Sequence, residues 1–514
     1  MTHSAFEPVT MPPMDEYNQQ LISHVHPPDW TNPTPADQYD LVVIGAGTAG
    51  LVVAAGAAGL DLGLKVALIE RHLMGGDCLN VGCVPSKCLI RSSRVVADIR
   101  DANPFGVFPP EEIQVDFAAV MQRMRKLRAG ISHHDSAERF QNLGIDVFLG
   151  SAKFASSEAI VVGDKTLRFK KAVIATGARA VRPPVDGIEE VGYLTNETVF
   201  SLTESPRRLA VIGGGPIGCE LAQAFQRLGA QVTLIHRGSH VLNREDADGA
   251  DIVQKSLIRD GIELVVGATP TRAKQTPDGK VLYFMRNGKE ESVVVDEILA
   301  GAGRAPNVEG LNLEGVGVEY DRKGVKVNDY LQTTNPKIYA AGDICMAWQF
   351  THAADSAARI VIKNTLFSPF GLGKSKLSDL VMPWVTFTDP EIAHVGMYDR
   401  DARAKGIETE TIKIDFSSVD RAIADGETEG FVKILHQRGT DKILGATIVA
   451  RHAGEMISEV TTAIVGGLGL SALSGVIHPY PTQAEGIKKA ADAYRRTLLT
   501  PRTKWLLGIL SKLS

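Results

Sequence analysis

Cysteine is scarce in this chain, with five in 514 residues. A secreted domain held by a disulfide framework needs a denser set, so that class is excluded and a reducing, cytoplasmic setting is expected. Long apolar runs are missing too: no stretch approaches the ~18 residues that cross a bilayer. The first 38 residues ("MPPMDEYNQQ", "HPPDWTNPTP") are polar and proline-rich, without the apolar core of a signal peptide, and read as an extended tail. Nor is positive charge in excess. Lys and Arg number 55 against 60 acids, a net charge of −5, with no basic stripe interleaved with aromatics. No nucleic-acid partner is expected.

Glycine is what the chain has in quantity, 50 residues, which points to tight phosphate-binding turns. "DLVVIGAGTAGLVVAAGAAGLDLGLKVALIE" (40–70) reads as a buried strand, a Gly45-x-Gly47-x-x-Gly50 turn, a small-residue helix and a second strand ending in Glu70. The first two glycines allow a tight turn against a pyrophosphate, and the third lets helix pack on strand. Phosphate is favoured at the helix N-terminus, where amides are free and the dipole is positive. Glu70 is placed to accept from a ribose 2′-hydroxyl. The unit recurs in "LAVIGGGPIGCELAQAFQRLGAQVTLIHRG" (209–238) with Gly213, Gly215 and Gly218, but its second strand ends in His236-Arg237. A guanidinium in place of a carboxylate favours a 2′-phosphate, so NADPH is expected there, with Arg244 and His240 completing a basic pocket. Two dinucleotides in one chain suggest a relay in which one stays bound and the other exchanges.

Between the turns lies "GGDCLNVGCVPSKC" (75–88), with Cys78 and Cys83 five positions apart. Taken alone it allows a metal clamp, a structural disulfide or a redox pair. "AVIATGA" (172–178), "GAGRAPN" (301–307), "IYAAGDI" (338–344) and "PWVTFTDPEIAHVG" (383–396) follow in order. Over about residues 39–495, this series resembles the class I pyridine nucleotide–disulfide oxidoreductases, the family of glutathione reductase, dihydrolipoamide dehydrogenase and mercuric reductase.

The resemblance implies an α/β fold with two Rossmann-like dinucleotide-binding domains and a C-terminal α+β dimerisation domain. FAD, tightly bound, would take residues 39–196 and 304–380; exchangeable NADPH would take 197–303; the interface domain would span 381–497, between flanking segments 1–38 and 498–514. It implies a homodimer with active sites shared across the interface. Cys78 and Cys83 would form a redox-active disulfide, Cys83 next to the flavin in a charge-transfer complex and Cys78 facing substrate. Pro85 suits the first turn of a helix beginning after Cys83. Lys87 would pair with Glu220 beside flavin N5, Thr176, Gly177, Gly303 and Arg304 would line the cofactor sites, and Asp343 would hold the ribityl chain. The N-terminus of the helix in "QFTHAADSAARI" (349–360), near Thr351 and His352, would face the flavin pyrimidine oxygen. A zinc site needs about four ligands, and no second cysteine pair supplies them, so no resident metal is expected. Cys88, Cys219 and Cys345 read as small buried apolar residues.

One stretch departs from the thiol–disulfide reductases of the family. Their acid–base histidine, five residues before a glutamate, is replaced in "VIHPYPTQAEGIKKAADAY" (476–494) by Tyr480 before Glu485, with His478 two residues earlier. A tyrosine near pKa 10 shuttles protons poorly at neutral pH, where a histidine near 6.5 does so readily. Mercuric reductases also resemble this pattern, but the chain lacks their C-terminal vicinal cysteine pair and the Cys-x-x-Cys of the N-terminal metal-carrier domain. The function expected is NADPH-dependent reduction of a soft metal ion such as Hg(II) or Cu(II) through FAD and Cys78–Cys83. Flavin-direct quinone reduction, a dihydrolipoamide dehydrogenase-like activity and a redox-sensing or anchoring flavoprotein are the alternatives. Finally, "TPRTKWLLGILSKLS" (500–514) reads first as a terminal helix docked on its own chain. Its apolar residues, flanked by Arg502, Lys504 and Lys512, alternatively suit peripheral membrane contact through 502–513.

Overall fold

The computed structural model describes residues 9–301 and 303–513. The first apolar run, Tyr39–Ile44, is buried almost throughout, as a strand flanked on both sides must be. It pairs in parallel with Val66–Glu70 (Leu41 opposite Val66) and with the C-terminal half of Lys165–Ile174 (Leu41 opposite Lys171). Ile145–Leu149 adds at one edge and Ile338–Ala340 at the other, so the chain returns late to finish its first sheet. The N-terminal half of Lys165–Ile174 carries a separate antiparallel meander with Ala159–Val162 and Ala152–Ser156.

The second glycine unit builds a four-stranded parallel sheet in the order Glu263–Val266, Gln231–His236, Arg208–Ile212, Glu297–Ala300. A three-stranded antiparallel sheet, Ala268–Thr276, Gly279–Arg286 and Lys289–Val295, follows. The C-terminal part is a five-stranded antiparallel sheet from Pro383–Thr386 to Thr409–Asp415, with Ala453–Val465 and Glu485–Thr497 packed on it. The fold is thus mixed α/β with two parallel nucleotide-type sheets and an α+β end. Among the described residues, no helix is long and apolar enough to cross a membrane.

Two expectations about the ends need correction. The N-terminal segment is not an extended tail: Glu16–Val25 is a helix, capped by the Asp15 carboxylate accepting from the Asn18 N–H at 3.0 Å. Leu21, Ile22 and Val25 fall on one face and are buried against the first sheet's core. Beyond the helix the Trp30 indole donates to the Val147 carbonyl and the Asn32 amide to that of Leu149, so the segment continues along the sheet edge. Polar and proline-rich flanks hide only one apolar stripe, which is enough when a ready core receives it.

A buried polar network fixes the helix. Arg128, 1% exposed, donates to Asn18 Oδ1 at 2.7 Å and to the Asn80 carbonyl at 2.6 Å. Burial lowers its pKa to about 10, which still leaves it charged at neutral pH. Arg128→Ala would strand both acceptors, at about 1–3 kcal/mol each. A loss of roughly 3 kcal/mol is expected in urea unfolding; an unchanged midpoint would mean that the N-terminal helix is not part of the folding core.

The C-terminal helix Pro501–Leu513 is the second correction. It does not dock on its own chain, and none of its described residues is buried. The helix before it, Glu485–Thr497, spends its apolar face (Ile487, Ala490, Ala491, Tyr494) on the C-terminal sheet, and the chain turns away at Thr500.

Candidate active site

Both glycine turns are built the same way, and sterics explain why. Gly45 and Gly213 have φ of 102° and 112°, a left-handed conformation that favours glycine. A Cβ on Gly50 would stand 1.8 Å from the Gly45 carbonyl oxygen, and one on Gly218 would stand 1.9 Å from that of Gly213. Each third glycine is therefore what lets helix and strand touch. Around Gly215 no atom lies within 4 Å of a Cβ, so that turn opens onto free space suited to a phosphate.

The thiols are held against the first turn. Cys78 sits in the short helix Gly76–Asn80, and a Cβ on Gly76 would meet Gly47 Cα at 2.6 Å. Cys83 opens the helix Cys83–Arg100, with Pro85 in its first turn. One turn on, Lys87 reaches Glu220 of the helix Pro216–Arg227 at 2.8 Å, tying the thiol helix to the second nucleotide unit. Glu220 is buried, and its other oxygen accepts the Phe387 backbone N–H at 2.9 Å; the Lys87 ammonium lies 4.4 Å from the Phe387 ring centre.

Both cysteines are free thiols here. Their environments push them apart. A hydrogen bond from Cys78 draws Cys83 down to about 6, assisted by Thr351 and the Lys87 charge against opposition from burial and Glu220. The same bond and its own burial push Cys78 well above the ordinary thiol range. At neutral pH the pair carries one negative charge, on Cys83, with Cys78 as its proton donor.

Sequence reasoning places Thr351 at a helix start but gives it no role at the thiols. Its hydroxyl lies 3.3 Å from Cys83 Sγ, at the first position of the helix Thr351–Leu366. The only signal was its place at a helix start, next to the histidine that drew attention. His352 lines the same cavity, but its Nε2 is engaged with the Pro383 carbonyl at 2.8 Å and its ring stacks on Phe350. Thr351→Val should raise the Cys83 pKa and slow its alkylation by iodoacetamide about two- to fivefold at pH 6. An unchanged pH profile would remove the hydroxyl from thiolate stabilisation.

Cys78, Cys83, Lys87 and Glu220 share one cavity of about 2560 Å³ with both glycine turns. Glu70, Thr176, Gly177, Gly303, Arg304, Asp343 and His236 line it as well. Arg304 pairs with Asp77 and donates to the Ala178 carbonyl at 2.7 Å; Asp343 lies 3.4 Å from it, its pKa raised by burial against that pairing. That contact is made by Arg304 Nε, so the guanidinium ties the two carboxylates together inside the wall. Continuous space and two open glycine turns fit two dinucleotides meeting at the thiols.

The ends of the two second strands are handled alike by different chemistry. Glu70 accepts the Ala46 N–H at 2.7 Å inside the first turn, and His236 Nδ1 accepts the Gly214 N–H at 3.1 Å inside the second. Burial and Arg237 lower the His236 pKa against the opposing pull of the His240 backbone, so the ring is neutral, and its Nε2 is buried beside the Gly238–His240 backbone. His236 thus adds no charge to the expected basic pocket. Arg237 and Arg244 are exposed along the cavity wall, whereas His240 turns to the Val241 carbonyl and lies outside the lining. The structure adds Arg400, which lines the cavity, stacks on Tyr398 at 4.0 Å and donates to the Arg244 carbonyl. It comes from the C-terminal part of the chain, so no local motif announces it.

Tyr480, His478 and Glu485 are not brought to the thiols of their own chain. The Tyr480 hydroxyl donates to Asp420 at 2.9 Å, which raises its pKa. His478 Nε2 lies 2.8 Å from Glu459, and Glu485 is 3.5 Å from Lys489.

Two dinucleotide turns converging on an acidified thiol pair define a flavin- and nicotinamide-dependent disulfide oxidoreductase. The chain belongs to the pyridine nucleotide-disulphide oxidoreductases: the family model of that description matches residues 39–358, and its dimerisation domain matches 382–491. It is 38% identical over 463 residues to a mercuric reductase of Lysinibacillus sphaericus, covering 90% of this chain and 84% of that protein. It is 34% identical over 470 residues to a dihydrolipoyl dehydrogenase of Thermus scotoductus, covering 89% and 98%. The Cu(II) complex of the HOCl-induced flavoprotein disulfide reductase RclA from Escherichia coli superimposes with a TM-score of 0.77 at 29% identity, covering 89% of this chain and all of that one. The protein is therefore a homodimeric flavoprotein oxidoreductase that uses FAD and NAD(P)H, of the mercuric-reductase-like kind.

Proposed function

We propose that this enzyme takes electrons from NADPH and delivers them, through FAD and the Cys78–Cys83 pair, to a soft metal ion such as Hg(II) or Cu(II). The observation that carries the reading is Cys83 held as a thiolate, with its pKa drawn to about 6, in a cavity shared by both nucleotide turns. Thiolate sulfur is the ligand soft metals prefer. FAD, when bound, supplies two-electron exchange between nicotinamide and sulfur. Cys78 holds the proton that Cys83 has released, Lys87 keeps a cation beside the thiolate, and buried Glu220 fixes Lys87. Arg237 and Arg244 are the groups for a 2′-phosphate.

Tyr480 supports a metal over a disulfide acceptor. Reduction of a disulfide substrate to a dithiol needs an acid–base group near neutral pKa to protonate the leaving thiolate, and such a positioned group is worth about 100- to 10,000-fold. Tyr480, already raised by Asp420, moves away from that range.

The test is NADPH oxidation by the purified protein with Hg(II) in excess small thiol, Cu(II), a quinone or lipoamide, on wild type and on the Cys78→Ala/Cys83→Ala double variant. Metal-dependent turnover that vanishes in the variant supports the proposal. Quinone turnover that survives it points to reduction at the flavin, and fast lipoamide turnover would overturn the argument from Tyr480.

A further inference from the structure

We infer that the helix Pro501–Leu513 docks on an anionic lipid surface, lying in the plane of the bilayer interface. The inference is independent of which acceptor the active site uses. Between Leu498 and Leu513 the chain shows eight large apolar side chains to solvent, Trp505 at 66%, Leu510 at 60% and Leu513 at 79% among them. At 100° per residue, Trp505, Leu506, Leu507, Ile509, Leu510 and Leu513 fall within an arc of roughly 200°. Lys504, Gly508, Ser511 and Lys512 occupy the rest, and Arg502 and Thr503 of the first turn fall within the apolar arc, at its headgroup end.

Charge selects the occupant. After Asp492 the sequence carries Arg495, Arg496, Arg502, Lys504 and Lys512 and no acidic residue, in a chain whose net charge is −5. The protein body is thus more negative than the whole, yet its own surface leaves the helix unburied. A segment combining a wide apolar arc, a basic remaining face and a tryptophan matches the boundary between acyl chains and anionic headgroups. There apolar residues sink in, lysine stems lie along the boundary with their ammonium groups outward, and the indole sits at headgroup level. Thirteen residues span only about 20 Å, short of a ~30 Å hydrocarbon core, so the helix lies on the membrane and does not cross it.

The experiment is co-sedimentation of the full-length, FAD-loaded protein with vesicles of phosphatidylcholine alone or with about a third phosphatidylserine. Binding is expected to the phosphatidylserine vesicles. It should fall at least about tenfold in Leu506→Glu/Leu510→Glu and in a chain ending at Thr500, and about fivefold for each of Lys504→Gln and Lys512→Gln. NADPH oxidation with an artificial electron acceptor should stay unchanged in every variant, because the helix lines no part of the cavity. Absence of binding, or equal binding by the shortened chain, overturns the inference. So does an assembly larger than a dimer that collapses to a dimer in Leu506→Glu/Leu510→Glu without any vesicle binding, which would assign the face to a second copy of this chain.

Discussion

Cys83→Ser is expected to lower metal-dependent NADPH oxidation by about 1000-fold or more, with FAD still bound. The size follows from ionisation. Cys83 has its pKa drawn down to about 6 by Cys78, Thr351 and Lys87, so it is a thiolate at neutral pH, whereas a serine hydroxyl in its place stays protonated and binds soft metals poorly. The sign of the pH dependence is fixed by the same shift. Activity that needs the thiolate is present above the depressed pKa and is lost as pH falls through it. In wild type kcat/KM for the metal should therefore be flat from pH 8 to about 6.5 and fall about tenfold per pH unit below 6. Cys78→Ala removes the largest contribution to that shift, so the falling limb should move to higher pH and the second sulfur ligand should be lost as well. Retention of a tenth of wild-type activity by Cys83→Ser would mean that electrons leave from the flavin without passing through sulfur.

What the sequence disclosed depended on how local each signal was. Gly45 and Gly213 announce themselves through a left-handed φ, Gly50 and Gly218 because a Cβ there would stand less than 2 Å from a carbonyl oxygen, and Gly47 and Gly215 by leaving the turn open. Lys87 and Glu220, 133 residues apart, were paired by family resemblance alone, and they meet at 2.8 Å. Contributions that cross the fold were silent. Thr351 and Arg400 enter from the first turns of two helices, Thr351–Leu366 and Asp399–Ala404, whose own sequences do not point to the thiols or the nucleotide. The N-terminal helix was hidden for a compositional reason, since Leu21, Ile22 and Val25 are few and their value depends on a groove formed by Arg128 and the first sheet. The C-terminal helix failed in the opposite sense: its apolar residues were plain to see, but apolarity alone does not say what covers them.

His236→Glu is expected to move the preference of the second site from NADPH toward NADH by about 100- to 1000-fold in the ratio of kcat/KM values. The two glycine turns supply the argument. In the first, a glutamate accepts the N–H between the first two glycines and puts a carboxylate at the end of the second strand; in the second, a neutral histidine accepts the equivalent N–H and puts no charge there. A glutamate at 236 can take the Gly214 N–H as Glu70 takes that of Ala46, so the turn itself keeps its clamp. The carboxylate would then accept from a 2′-hydroxyl and repel a 2′-phosphate. Hydrogen bonds to charged groups are worth about 1.5–3 kcal/mol each, and two such changes reach the stated ratio. Arg237 and Arg244 remain exposed at the same wall and would hold part of the NADPH affinity, which caps the reversal. Arg237→Gln added to His236→Glu should release that remainder by roughly another tenfold. Steady-state kinetics with both nucleotides and one fixed acceptor decide the matter. An unaltered ratio in His236→Glu would assign nucleotide choice to the arginines alone and reduce His236 to a support for the turn.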